Sequence, residues 1–337
     1  MLFVMRSQCC IYVDAGYLLA SAATRLTGTS YRSGIRVKYE PLIESLISQV
    51  EEVAGVPLLR VNWYDAAKNA LPDKDQERIG AMPRVKVRLG RVGYQGEQKG
   101  VDLRIGLDMV AQSRNGAFDV VYLLSGDDDL TEAVEEAQIH GVQVIVLAVP
   151  DTEGKPNAVS VHLTRASDGI ELISPASLDR TVFRAVVKTP SGAMPAPVPG
   201  PKPGPPATPV PGPPKPGAVP TPPPHQAVVR RAPESTLAYR SETGGRSSVA
   251  PEYAMGEEKI AAAIMAVVIG VIDAFLASAT QDEKDDVIRA RPSIRSDIDR
   301  TLLFDLSHRI DVSELSDRLR YELRDRFWEV LIQKAEG

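Results

Sequence analysis

The sequence predicts an α/β fold: a parallel sheet with helices on both faces, then a Pro-rich tether and a small all-α C-terminal domain. Three observations predict it. Short continuous apolar runs, at 10–13, 118–124 and 142–149, read as strands buried on both faces. Between them lie stretches with helical spacing, such as Leu42, Leu46 and Val50 with Ile43 and Ile47, and strand–helix alternation argues for a parallel sheet. At Pro190 the composition changes. Seventeen of the 27 prolines fall between Pro190 and Pro224, which suits an extended polyproline spacer and not a core.

Composition bounds the rest. The 337 residues suffice for two ordinary domains, and 43% hydrophobic content permits a sizeable core. A net charge of −5 gives no global basic signature, so any nucleic-acid surface must be local. Cys9 and Cys10 are adjacent in an apolar run and read as packed thiols, which fits a reducing cytoplasmic compartment. The apolar start, Met1–Met5, is too short for a signal peptide. The apolar run 260–272 is shorter than the ~20 residues of a membrane span, so it reads as a buried helix, and no membrane partner is expected.

Taken in order, Cys10–Val13 is a strand ending in Asp14, and Ala15–Ala20 turns into a helix. Tyr39–Ala54 is a helix ended by Gly55. Pro57–Tyr64 is the second strand, and Asp73–Ala81 a short polar helix. From Arg84 to Leu89 charged and apolar residues alternate, placing Arg84, Lys86 and Arg88 on one face. That face suits a phosphate backbone, or equally an edge strand protected by charge. Gln98–Leu103 opens a helix whose Leu103, Leu107 and Val110 can face the sheet, with Asp102 in its first turn. The strand 118–124 ends in Ser125-Gly126-Asp127-Asp128-Asp129, and Thr131–His140 follows as a helix. Asn157–Ala166 reads as a helix and Ile170–Ile173 as a closing strand. Beyond the tether, Glu257–Ala279 and a segment from Ser293 or Ser296 read as helices. Asp311–Glu314 resembles a capping box opening a third, which carries Leu315, Leu319, Leu323 and Phe327.

Asp14, Asp102 and Asp127 come from three segments that this pattern brings to one sheet edge, with Asp128 and Asp129 beside the last. Oxygen ligands without Cys or His suit Mg²⁺ or Mn²⁺ rather than zinc. Such a metal stabilises charge on an attacked phosphate, while nearby Lys or Arg holds flanking phosphates.

Three stretches, Tyr12-Val13-Asp14, Lys99-Gly100-Val101-Asp102 and Ser125-Gly126-Asp127-Asp128-Asp129-Leu130, resemble the three acidic motifs of the NYN family of PIN-like nucleases, which includes the LabA-type proteins. The resemblance covers roughly Gln8–Ser174. It implies a PIN-like three-layer α/β/α domain that cleaves RNA with a divalent metal. Carried over by motif, Asp14, Asp102 and Asp127 would be the catalytic metal ligands, with Asp129 supporting and Asp108 at lower weight. Lys99, Arg84, Lys86, Arg88 and Ser125 are the RNA-binding candidates. One departure stands out: Tyr17 occupies the place of an Asn that in the family helps orient the first Asp or a phosphate.

The expected domains are 8–180 (nuclease), 188–250 (Pro-rich linker) and 252–337 (helical). The helical domain is expected to serve a homo-oligomer or a protein partner. The expected activity is metal-dependent RNA hydrolysis. The rivals are an RNA- or protein-binding module without turnover and a small-molecule phosphohydrolase on the same acidic site.

Overall fold

A computed structural model describes residues 7–67, 71–92, 98–185, 256–312 and 314–336. The chain runs β1 (Cys9–Asp14), α1 (Ala15–Thr27), a 3₁₀ turn Arg32–Gly34, β2 (Ile35–Val37), α2 (Tyr39–Ala54), β3 (Leu58–Ala67), α3 (Lys74–Gly80), β4 (Val85–Val92) and β5 (Gln98–Lys99). It continues through α4 (Val101–Arg114), β6 (Val120–Leu124), a 3₁₀ turn Asp128–Leu130, α5 (Thr131–Ile139), β7 (Gln143–Ala148), α6 (Val161–Ala166), β8 (Gly169–Leu172), α7 (Pro175–Thr181) and β9 (Val182–Arg184). The C-terminal helices are α8 (Glu257–Ser278), α9 (Gln281–Arg289), α10 (Ser296–Arg309) and α11 (Asp317–Glu336). The Pro-rich tether lies outside the described residues.

The main sheet has the order β5-β4-β3-β1-β6-β7-β8, parallel except for β5. Alternation along β1 shows why its run is apolar throughout. Cys9, Ile11 and Val13 point into a core shared with α1 and α2, while Cys10 and Tyr12 point into one shared with α4 and α5. Helices therefore cover both faces, giving the expected three-layer α/β/α arrangement. Cys9 and Cys10 are buried free thiols, and burial raises their pKa to about 11 and about 12. The chain builds outward from β1 to β3 and β4, then returns to place β6 on the other side of β1. Strand order reverses between β1 and β6, and ligands of open α/β sheets bind beyond the carboxyl ends at such a point.

Several elements differ from the sequence expectation. On α4 the buried row is Val101, Ile105 and Met109, while Leu103 and Leu107 are exposed. The helix carries two apolar rows at i, i+4 spacing, and periodicity cannot say which turns inward. Arg84 lies before β4 with φ 63, outside the alternating strand. Helix α6 starts only at Val161, where the Ser160 side chain caps His162 and Leu163. Asp311 has φ 54 and α11 begins at Asp317, so the capping box expected at 311–314 does not start that helix.

Helix α8 has 22 residues and is long and apolar enough to cross a membrane by length and composition, beyond what the 13-residue run suggested. Here Ile260, Ile264, Val268, Ile272 and Phe275 are buried against residues of α10 and α11. The charged residues of α11 pair as their alternation suggests, with Arg324 forking onto both oxygens of Asp299 at 2.7 and 2.8 Å. These helices pack on the α/β part at the loop after α1. Tyr31 joins their core, Arg295 donates to its hydroxyl at 2.7 Å, and the Ser30 backbone N–H reaches both Asp305 oxygens at 3.2 Å.

Candidate metal and nucleic-acid site

Asp14 is the last residue of β1 and the N-cap of α1; its Oδ1 accepts from the Gly16 backbone N–H at 2.8 Å. An apolar strand that must end where a helix begins places a short carboxylate there for a local reason. Burial is the main cause raising its pKa to about 6, and Asp102 adds to it. The Tyr17 and Gly16 N–H groups and Arg32 oppose the shift. Asp102 sits in the first turn of α4, after Gly100 in the left-handed region (φ 77). Its pKa is also raised, by burial first, then by Asp127 and Asp129. Asp127 follows β6 and caps the 3₁₀ turn, accepting from the Asp129 N–H at 3.0 Å. Val13 pairs with Leu124, so Asp14 and Ser125 end their neighbouring strands at one level.

Asp14 and Asp127 thus flank the point where strand order reverses, and Asp102 feels both ends of the group. Two of its three carboxylates hold their protons more tightly than usual. Burial is the main cause in both, and the neighbouring carboxylates add to it. Among the described residues no three His, Cys, Asp or Glu side chains close on one point tightly enough to hold a metal ion. The donor chemistry, all oxygen and mutually repelling, nonetheless fits a hard divalent cation.

The other candidates are placed differently. Asp129 is exposed at the same turn and within the field of Asp102. Asp108 lies farther along α4, where it accepts from the Tyr64 hydroxyl at 3.1 Å and faces Arg88 at 3.2 Å. It does not join the acidic group. Arg88 is committed to Asp108, and Arg84 to Glu51 at 2.8 Å, so the basic face expected for RNA is largely paired within the protein. Lys86 is exposed. Lys99 has its backbone in β5, but its side chain falls outside the described part. Ser125 is fully buried; its hydroxyl accepts from the Asp127 N–H at 3.3 Å, so it shapes the turn instead of offering a surface.

The structure adds residues the sequence reading passed over. Asp65, near the end of β3, is half-buried with a raised pKa, mainly through burial; Gln76 and the Ala66 N–H both donate to it at 2.8 Å. The signal was present, because Tyr64-Asp65 ends an apolar strand as Val13-Asp14 does. Tyr17 is a strut: its hydroxyl donates to the Asn157 carbonyl at 2.8 Å and accepts from the Val149 N–H at 3.3 Å. Its ring lies against Gly126, where the Ala158 carbonyl also approaches, and Ser160 donates to the Asp128 carboxylate. The loop after β7 is thereby clamped onto the Ser125–Asp129 turn. Removing the strut's hydroxyl in Tyr17→Phe leaves the buried Val149 N–H without its acceptor. It is expected to lower stability by about 1–2 kcal/mol in denaturant titration; an unchanged midpoint would contradict the strut.

A pH effect follows from Asp14. Its folded pKa is raised, so its contribution to stability is present below the ordinary 3.8 and is lost as pH rises through about 6. Asn caps a helix as well as Asp and carries no charge. In chelator, Asp14→Asn is expected to exceed the parent by about 2 kcal/mol at pH 8, with the gap closing near pH 4. Denaturation at both pH values checks this, and a variant less stable than the parent at pH 8 would contradict it.

Residues 9–172 match the family model described as NYN domain. An 80-residue stretch is 42% identical to the uncharacterized protein y4oD of Sinorhizobium fredii (strain NBRC 101917 / NGR234). That match covers 24% of this chain and 37% of the relative, so the chain spans little more than a third of the curated protein it matches.

Proposed function

We propose, from the premise that residues 9–172 form an NYN domain of the PIN-like nuclease group, that this protein is a metal-dependent ribonuclease. The observation that supports the proposal is that Asp14 and Asp127 follow neighbouring strands where strand order reverses, with Asp102 in the first turn of α4 coupled to each of them through space. These three would hold Mg²⁺ or Mn²⁺, with Asp129 supporting. When bound, the ion supplies positive charge to an attacked phosphate and acidifies a coordinated water. The protein's own part is positional. The Gly16 N–H fixes one Asp14 oxygen, the Asp129 N–H fixes one Asp127 oxygen, and the first turn of α4 carries Asp102.

Tyr17 favours a second reading, an RNA- or protein-binding module that has lost turnover, because it replaces a side chain the family uses near the first Asp. End-labelled single-stranded and hairpin RNAs separate the two. Fragments formed with Mn²⁺ or Mg²⁺ and abolished by chelator are expected, and their ladder tells endonucleolytic from exonucleolytic cutting. RNA that stays intact under both metals yet is retained by the protein would favour the second reading. A cytoplasmic location and a partner for the C-terminal helices belong to the same proposal.

A further inference from the structure

The basic residues that sequence alternation suggested for RNA are mostly paired within the protein, yet one arginine beside the acidic group is not. Arg32 opens the 3₁₀ turn that follows α1. Its loop is fixed from the far side by the C-terminal helices. Tyr31 is 1% exposed, sits edge-on to Phe275 with ring centroids 6.4 Å apart, and takes the Arg295 hydrogen bond, while Ser30 is held by Asp305. The turn has little freedom to move, and Arg32 extends from it half-buried.

Its surroundings are unusual for a half-buried cation. Among the described residues the Arg32 side chain makes no ion pair and no hydrogen bond. Asp14 and Asp65 act on it through space, while Gly16 holds one Asp14 oxygen and Ala66 and Gln76 hold the two oxygens of Asp65. Arg300, from α10, adds positive charge nearby. Loss of hydration pulls the Arg32 guanidinium below its ordinary range. A half-buried guanidinium left without an acceptor among the described residues is a fork awaiting an oxyanion, and a phosphate presents matched oxygens to it.

We propose that Arg32 binds a backbone phosphate of RNA next to Asp14, on a turn that the C-terminal helices hold in place. The inference rests on the nuclease reading for its ligand, and it gives the helical part a role in building the substrate site.

The test is fluorescence anisotropy with a fluorescein-labelled single-stranded RNA, in chelator so that nothing is cut, over a range of salt. The full chain is compared with Arg32→Ala and Arg32→Lys. Arg32→Ala is expected to bind about tenfold more weakly, with the slope of log affinity against log salt shallower by about 0.7, the loss of one phosphate contact on a single strand. Arg32→Lys keeps the charge and is expected to keep the slope while losing affinity. The lysine variant also shows that the fold survives a change at this position. An Arg32→Ala variant with parental affinity and slope overturns the proposal, even if the parent cleaves RNA. Arg32-dependent binding without cleavage under any metal keeps this proposal and removes the nuclease reading. A parent that neither binds nor cuts RNA overturns both.

Discussion

Replacing Gly126 by Ala is expected to cost the protein about 3 kcal/mol or more and to remove its activity with the lost geometry. A Cβ at this position would stand 1.9 Å from the Ala158 carbonyl oxygen, 2.9 Å from its carbon and 2.8 Å from the Tyr17 ring. The first two are backbone atoms, which cannot swing aside as a flexible side chain can. Ala158 is itself held at φ 50, and the Ser160 N–H donates to the Gly126 carbonyl at 2.9 Å, so neither strand of the crossing is free to retreat. Overpacking a well-filled site commonly costs ~1–3 kcal/mol, and a clash with backbone belongs at or above the top of that range. Urea denaturation of Gly126→Ala reads the loss directly. A midpoint within error of the parent would show that the loop after β7 is not clamped on the Ser125–Asp129 turn.

The second large effect is on chemistry. Asp102→Asn is expected to lower the cleavage rate by on the order of 10³-fold while leaving the fold intact. Asp102 is coupled to the other carboxylates: its pKa is raised by burial first and then by Asp127 and Asp129, and it raises that of Asp14 in turn. On the proposed function the substitution removes one anionic metal ligand, and metal-supplied stabilisation of an attacked phosphate is worth several kcal/mol. The side chain is half-buried in the first turn of α4, where Asn is tolerated, so stability should not fall. Circular dichroism and a melting curve separate loss of chemistry from loss of structure.

The fold was legible because its strands are buried on both faces and its turns are marked by Gly and Asp. Asp14, Asp102 and Asp127 were legible for the same reason: each stands where an apolar segment ends or a helix opens. What sequence order hid was partnership across the chain. Arg84, Lys86 and Arg88 alternate as a basic strand should, but nothing local says that Glu51 and Asp108 take up two of them. Arg32 lies in the short stretch between α1 and β2, which has no periodic pattern of its own. Its setting depends on Tyr31 meeting Arg295, 264 residues away. Tyr17 was visible as a departure from a family motif, whereas its role as a strut required the loop at Val149–Asn157 to be folded against it. Asp65 repeated the strand-end pattern of Asp14 and was readable in principle.

The central claim is that three carboxylates at the β1–β6 junction support metal-dependent RNA cleavage. The most direct measurement is the initial rate of cutting of one end-labelled RNA by the parent and by Asp102→Asn, side by side, in Mn²⁺ and in chelator. The account predicts cutting by the parent in Mn²⁺, none in chelator, and none above background by the folded variant. Equal rates for parent and variant, or cutting by the parent that chelator leaves untouched, would contradict it.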